Sequence, residues 1–205
     1  MRAQIRAIVI LALVLLAACS PPSVPDVTYF RLPPPAALPH SDKPLSSLPI
    51  EVEVFRGEGI YAEQALIYTN SPDAGSLHTY HYQLWSDPPS RGLQARLTTM
   101  LRDSGASPLV TDRLPASDQA LRVHGRILRY ERVKRDQGYE VAVTLEIRVE
   151  QDSGEPLIEQ TYAAQVAAAD ASMEASVHAF ATALDQAFAK FYGDLATLTK
   201  DTHAG

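Results

Sequence analysis

Cysteine is almost absent from this sequence of 205 residues, since Cys19 is the only one. A disulfide within the chain is therefore excluded. Basic residues are also in the minority, with 18 Lys and Arg against 24 Asp and Glu. A chain with this balance lacks the basic face that nucleic acid requires, so we expect no nucleic-acid partner.

The sequence also lacks the local motifs of the common enzyme classes. It contains no Gly-x-Ser-x-Gly elbow, no dinucleotide fingerprint and no phosphate-binding glycine loop. The segment Gly57-Glu58-Gly59 has neither the lysine nor the following helix that such a loop needs. We therefore expect no enzymatic activity, no cofactor and no metal site. A hydrolase built from dispersed residues is the least favoured alternative.

Long apolar runs are missing too, apart from one at the N-terminus. Arg2 and Arg6 precede an unbroken apolar run from Ile8 to Leu16, and the small residues Ala17 and Ala18 follow it. This is the layout of a secretory signal peptide. Because a membrane-spanning helix needs about 20 apolar residues, the run is too short to be a permanent span. The sequence therefore predicts a removable signal over residues 1–18.

The residues around the cleavage point favour a more specific interpretation. Leu16-Ala17-Ala18-Cys19 resembles the bacterial lipobox, which implies cleavage before Cys19 and attachment of lipid to its thiol. Two or more acyl chains would give stable membrane anchoring. Ser20 stands where lipoproteins retained in the inner membrane often carry Asp, so the resemblance implies the outer membrane, facing the periplasm. A signal peptide that ends in cysteine by coincidence is the alternative.

Removal of the signal would leave 187 residues (205 − 18). Their formal charge is about −8, because the signal carries two arginines and no acidic residue. Differences in composition divide this remaining chain into three parts. Residues 19–48 hold repeated prolines and predict a stiff tether with a short strand from Val27 to Leu32. Residues 49–200 are long enough for one domain with a real core. Residues 201–205 are expected to be a C-terminal tail.

Alternating apolar residues predict the strands of this domain. Ile50 to Val54 and Tyr139 to Val149 alternate most clearly, and the second of these continues a meander that extends to Ala167. Between Leu121 and Tyr130 the alternation slips near Leu128, which predicts a β-bulge. Shorter strands are expected over residues 65–69 and 77–82.

Helical spacing predicts two main helices. The first is expected to be capped by Asp87 and to end at Ser104-Gly105. The second runs from about Ser172, its expected N-cap, to Thr197. Its apolar stripe favours a core helix over a membrane-surface helix, because its polar face lacks the expected excess of Lys and Arg. We therefore predict a single α+β domain with a mostly antiparallel or mixed β-sheet packed against these helices.

Aromatic residues are concentrated in the segment from Tyr80 to Trp85, which contains the only tryptophan. One interpretation is that Trp85 fills the core where a strand leads into the first helix. The other is that Tyr80, Tyr82 and Trp85 form a partner-binding surface, because Trp and Tyr dominate interface hot spots. The core interpretation is the favoured one for Trp85.

The order of these motifs resembles one family across the whole mature chain. Tyr80-x-Tyr82-x-x-Trp85-x-x-Pro88-Pro89, followed by a leucine helix, is similar to the ABC-type transport auxiliary lipoproteins, the family of paraquat-inducible protein C. Supporting features are the segment from Thr28 to Leu32, the strand that opens at Ile50 and the alanine-rich last helix.

The resemblance implies a periplasm-facing outer-membrane lipoprotein that works with a mammalian cell entry (MCE) domain protein. Such proteins form tunnels through which lipids or other hydrophobic molecules pass between the two membranes. The lipoprotein would dock the outer end of the tunnel, with a homo-oligomeric ring as one arrangement. Cys19 is the only functional residue that the resemblance transfers. The main alternative is a lipid-binding carrier or an assembly lipoprotein, for which an apolar pocket between helix and sheet is expected.

Overall fold

The structure is a computed structural model that describes residues 25–72, 75–116, 119–151 and 154–203. The predicted signal peptide and Cys19 lie outside these ranges, so cleavage and lipidation stay predictions. Within the described residues the secondary structure consists of nine strands, two α-helices and one short 3-10 helix. They are β1 (Thr28–Phe30), β2 (Ile50–Val52), β3 (Arg56–Gly57), the 3-10 helix (Gly59–Ala62), β4 (Ala65–Thr69), β5 (His78–Trp85), α1 (Pro89–Asp103), β6 (Val110–Thr111), β7 (Leu121–Lys134), β8 (Tyr139–Glu150), β9 (Pro156–Ala167) and α2 (Met173–His203).

The described strands form one mixed sheet around β7. On one side, β8 pairs antiparallel with β7 over its whole length, and β9 pairs antiparallel with β8. On the other side, the short strands β2, β3 and β4 pair in parallel with successive parts of β7. Beyond them, β5 pairs antiparallel with β4, and β1 pairs in parallel with β5. The prediction of an α+β domain with a mixed sheet is confirmed.

The meander of β7, β8 and β9 follows from the alternation of its residues. In β8 the apolar positions from Val141 to Val149 are buried and the polar positions between them are partly exposed. The β7–β8 register shifts between Ile127 and Arg129, which confirms the predicted bulge. Gly138, at φ 89°, supplies the left-handed residue in the turn that joins the two strands.

Helix α2 supplies much of the core, as its apolar stripe predicts. Phe180, Phe188 and Phe191 are fully buried where the helix lies on β8 and β9. Ser172 caps the N-terminus, because its Oγ accepts a hydrogen bond from the Ala175 backbone N–H at 3.0 Å. The helix runs to His203, beyond the expected end at Thr197, because neither Gly nor Pro occurs in between to stop it.

Helix α1 begins one residue later than the sequence predicts, so the expected Asp87 cap is wrong. Pro89 disfavours helical conformation at the residue before it, and Pro88 is accordingly extended, with φ −52° and ψ 137°. Pro88 therefore occupies the N-cap position, where it makes no side-chain hydrogen bond. The Asp87 carboxylate instead accepts a hydrogen bond from the Ser86 hydroxyl at 3.1 Å.

Strand β2 is shorter and more buried than the alternation of Ile50 to Val54 predicts. It ends at Val52, and Glu51 is also buried, where it pairs with Arg122 at 3.2 Å. Val54 is 47% exposed because the chain turns after β2 and places Phe55 in the core instead.

The proline-rich segment before residue 49 packs on the domain through most of its described length. Leu38 is buried, and Pro39 accepts a hydrogen bond from the Tyr192 hydroxyl at 2.9 Å. The backbone N–H groups of Ser41 and Ser46 donate to the carbonyls of Ser104 and Ala106. These contacts hold the segment against both helices, so from β1 onward it belongs to the folded unit.

Candidate functional site

Trp85, one of the three candidate partner-binding residues, lies in the core. Its side chain is 4% exposed and packs against Tyr130 and Phe180, with ring centroids 5.4 and 5.1 Å away. Trp85 therefore fills the core, as the favoured interpretation of the sequence has it. Its side chain presents no exposed surface to a partner protein.

Tyr80 is half-buried and connects β5 to the start of α2. Its hydroxyl accepts a hydrogen bond from Arg132 Nη1 at 2.7 Å. Arg132 is buried, stacks on the Tyr139 ring at 3.3 Å and donates to Ser176 Oγ at 2.8 Å. Burial raises the pKa of Tyr80, while the hydrogen bond from Arg132 lowers it. Tyr80 therefore stays neutral and positions Arg132, which makes its role here structural.

Of the three candidate residues, Tyr82 has the most exposed side chain, with 40% of it accessible. In the β4–β5 pairing, Ala65 lies opposite Leu84 and Ile67 lies opposite Thr79. A step of two residues along β4 thus corresponds to a step of five along β5, so β5 bulges around Tyr82. Strand β1 pairs with β5 beside this position, where Tyr29 lies opposite Leu84. Tyr29 is 61% exposed, and Val27, which immediately precedes β1, is 46% exposed. We call Val27, Tyr29 and Tyr82 the edge patch. A partner-binding role for it stays a prediction.

A mostly apolar cavity lies beside Trp85, a feature that the sequence analysis expected only for the carrier alternative. Its volume is about 340 Å³. It lies between the extended segment after β1 and one face of α1, with Trp85 and Tyr130 of the sheet beside it, and we call it the α1 cavity. It is lined by Phe30, Arg31, Leu32, Pro33, Pro34, Pro35, Trp85, Ser86, Asp87, Pro89, Gly92, Leu93, Ala95, Arg96, Thr99 and Tyr130.

Two polar side chains in this lining, those of Arg96 and Tyr130, differ in the hydrogen bonds that they make. Arg96 is buried, donates from Nε and Nη2 to Asp185 on α2, and donates from Nη1 to the Pro33 carbonyl at 2.7 Å. Tyr130 is 2% exposed, and its hydroxyl has no hydrogen-bond partner among the described residues. Burial raises the pKa of Tyr130, and the positive charge of Arg96 lowers it. The cavity thus has mostly apolar walls and a neutral tyrosine hydroxyl that makes no hydrogen bond to the described residues.

A polar group on another face of the sheet escaped the sequence reasoning. His124, to which the sequence assigns no carboxylate partner, contacts Glu53 at 3.0 Å through Nδ1 and Glu150 at 3.1 Å through Nε2. Parallel pairing of β2 with β7 and antiparallel pairing of β7 with β8 bring the three residues together. Among the described residues, no group of three or more His, Cys, Asp and Glu is arranged to hold a metal ion.

Comparison with known families matches residues 33–190 to the model of the ABC-type transport auxiliary lipoprotein component. The chain belongs to this family. The match begins within the packed proline-rich segment and ends inside α2. It includes β5 and most of the residues that line the α1 cavity, but not the lining residues from Phe30 to Leu32, and not Val27 or Tyr29. An auxiliary role in a transport system and the lipoprotein class are thereby shown for the chain.

Solved structures support the fold of this auxiliary lipoprotein. A Xanthomonas campestris protein of family DUF330 is 17% identical, with a TM-score of 0.74 over 87% of this chain and 100% of its own. An uncharacterized protein is 14% identical, with a TM-score of 0.57 over 84% of this chain and 98% of its own. At these identities the likeness concerns the fold alone. A comparison with curated proteins gives no significant match.

The described helices of this lipoprotein contain no stretch that is both long and apolar enough to span a bilayer. Helix α2 is the longest of them, and its apolar residues are used in the core against β8 and β9.

Proposed function

We propose that this auxiliary lipoprotein is anchored to the outer membrane through lipid on Cys19, faces the periplasm, and docks an MCE-domain transport protein there. The observation that carries the proposal is the family match over residues 33–190, because it places the chain in transport systems that employ an auxiliary lipoprotein. The cargo of the system would be lipids or other hydrophobic molecules, and no catalytic step by this subunit is part of the proposal.

The short distance between Cys19 and the folded unit supports docking close to the membrane. Residues between Cys19 and Thr28, where β1 begins, can span at most about 30 Å when fully extended. The net negative charge of the mature part disfavours electrostatic attachment to anionic lipid, so we assign membrane attachment to the lipid anchor.

Two surfaces are consistent with a docking role. The edge patch exposes Tyr29 and Tyr82, the residue type that contributes most to interfaces together with Trp and Arg. Strand β9 pairs only with β8 among the described strands, and an unpaired edge is a natural place for association of copies into a ring. Both assignments, and the ring itself, are part of the proposal.

A lipid-binding carrier is the second candidate, because the α1 cavity is apolar. The space between α2 and the sheet is filled by Phe180, Phe188 and Phe191, as an adaptor predicts. The α1 cavity, in contrast, is lined by α1 together with Phe30, Trp85 and Tyr130 of the sheet. We favour the adaptor because the matched family is an auxiliary transport component, and we treat the cavity as a separate feature of it.

Affinity purification from gently solubilised membranes tests the proposal. We expect the wild-type protein to retain an MCE-domain protein, identified by mass spectrometry, and to carry lipid on Cys19. The Cys19→Ala variant should lack the lipid and lose its outer-membrane location, because no other anchor is proposed. An unlipidated wild-type Cys19, or repeated purification without any MCE-domain protein, would contradict the proposal.

A further inference from the structure

The α1 cavity has the size and shape of a binding site for a slender ligand. Its volume of about 340 Å³ falls within the range of small-molecule sites. The lining on α1 extends from Pro89 to Thr99, which corresponds to about 15 Å along the helix axis. The lining thus follows the helix for nearly three turns, and an elongated site of this kind suits one extended hydrocarbon chain.

The walls match a hydrocarbon chain in chemistry as well as in shape. Phe30 and Trp85, which are neighbours on the paired strands β1 and β5, form one apolar part of the lining, and Leu93 contributes another from α1. The charged residues Arg31 and Asp87 of the lining are themselves exposed. The charge of Arg96 is neutralised by Asp185, at an Nη2–Oδ1 distance of 2.8 Å, so it does not place a free ion in the cavity. Burial of apolar ligand surface against such walls is favourable.

Tyr130 provides an independent observation that points to a ligand. The residue is almost fully buried and lines the cavity, and no hydrogen bond joins its hydroxyl to a described residue. The hydroxyl oxygen is not among the fully buried polar atoms that lack a partner, so it borders the open space of the cavity and can bond a molecule there. An acceptor oxygen brought in by the ligand would satisfy it.

We infer that the α1 cavity binds one acyl chain, with a carbonyl or carboxyl oxygen of that chain accepting a hydrogen bond from the Tyr130 hydroxyl. The same acyl chemistry is supplied by two sources, a membrane phospholipid and a free fatty acid. The inference goes beyond the adaptor role, because it concerns a site on this domain and needs no partner protein.

Trp85 makes the inference directly measurable, since it is the only tryptophan and lines the cavity. Bromine quenches indole fluorescence at contact distance. The lipidated protein is reconstituted in phosphatidylcholine vesicles, and either dibromostearate or phosphatidylcholine with dibromostearoyl chains is added. We expect saturable loss of most Trp85 fluorescence in at least one arm, whereas unbrominated lipid should not quench it.

Two glycines provide a matched pair of variants. Gly92 lines the cavity and Gly193 lies on exposed α2 surface, and a Cβ at either position meets no atom within 4 Å. We expect Gly92→Leu to occupy the cavity and weaken quenching roughly tenfold in apparent affinity, which corresponds to ~1.4 kcal/mol. Gly193→Leu should quench like the wild type. Should Gly92→Leu not fold, as judged by circular dichroism, Ala95→Leu replaces it.

The two arms identify the source of the chain. Quenching by the brominated phospholipid assigns it to the membrane, and quenching by dibromostearate alone assigns it to free fatty acid. Tyr130→Phe should weaken binding in the arm that quenches. Absence of quenching in both arms, or equal quenching in Gly92→Leu and the wild type, would overturn the inference. Either failure leaves the docking of an MCE-domain protein unaffected.

Discussion

Substitution of Asp185 by alanine is expected to lower the free energy of unfolding by about 3–5 kcal/mol, because it leaves a buried guanidinium without its counter-charge. The Arg96 side chain is 4% exposed, and Asp185 accepts hydrogen bonds from Arg96 Nε and Nη2 at 2.9 Å each. Asp185 also accepts one from the Ala36 backbone N–H at 3.1 Å. The variant thus also removes one of the hydrogen bonds that hold the proline-rich segment against α2. Urea unfolding followed by Trp85 fluorescence measures the change.

The matched control removes a similar pair from the surface. Arg126 and Glu146 are 2.8 Å apart, but their side chains are 46% and 29% exposed. Glu146→Ala should therefore lower the free energy of unfolding by less than about 1 kcal/mol. Equal small losses in Asp185→Ala and Glu146→Ala would show that the Arg96–Asp185 pair does not connect the two helices as described.

The second large effect is expected from Gly125→Ala in β7. A Cβ at this position would lie 2.3 Å from two carbons of the Phe55 ring. Phe55 is 1% exposed and packs edge-on against Phe188, so the ring has no free space to move into. Overpacking of this kind should lower the free energy of unfolding by about 2–3 kcal/mol, measured by urea denaturation.

Two further variants separate the clash from the general effect of replacing glycine. Gly193→Ala lies in helix α2 with open space around it, and should raise stability by about 0.5–1 kcal/mol. Phe55→Leu makes room over Gly125, so the double variant Gly125→Ala/Phe55→Leu should lose less stability than the sum of the single variants. Additive losses would contradict the close contact between Gly125 and Phe55.

The sequence predicts most of the local structure where one periodicity extends over many residues. The alternation in β8 and the stripe on α2 each cover several repeats, and both elements form as expected. The bulge near Leu128 was visible because it interrupts a long pattern. The exact start of α1 was not predicted, because the consecutive prolines at 88 and 89 compete with the capping preference of Asp87.

The candidate site was much less predictable, because it depends on contacts between distant parts of the chain. Ala36 and Asp185 are separated by 149 residues, and Arg96 and Asp185 by 89. Proline content predicted a stiff tether, and it gave no sign of these hydrogen bonds, which fix the segment on the helices and create one wall of the α1 cavity. The buried position of Tyr130 likewise depends on packing against Trp85 and Phe180. Neither the hydrogen bonds that fix the segment nor the packing around Tyr130 leaves a local signal in the sequence.

A vesicle flotation assay tests whether this lipoprotein docks a transport protein to the membrane. The lipidated protein is reconstituted in phospholipid vesicles and mixed with the soluble domains of the MCE-domain protein captured with it. We expect these domains to float with vesicles that carry the wild-type protein and to remain at the bottom with empty vesicles or with the Cys19→Ala variant. MCE domains that never float with the wild-type vesicles, or that float equally well with empty ones, would contradict it.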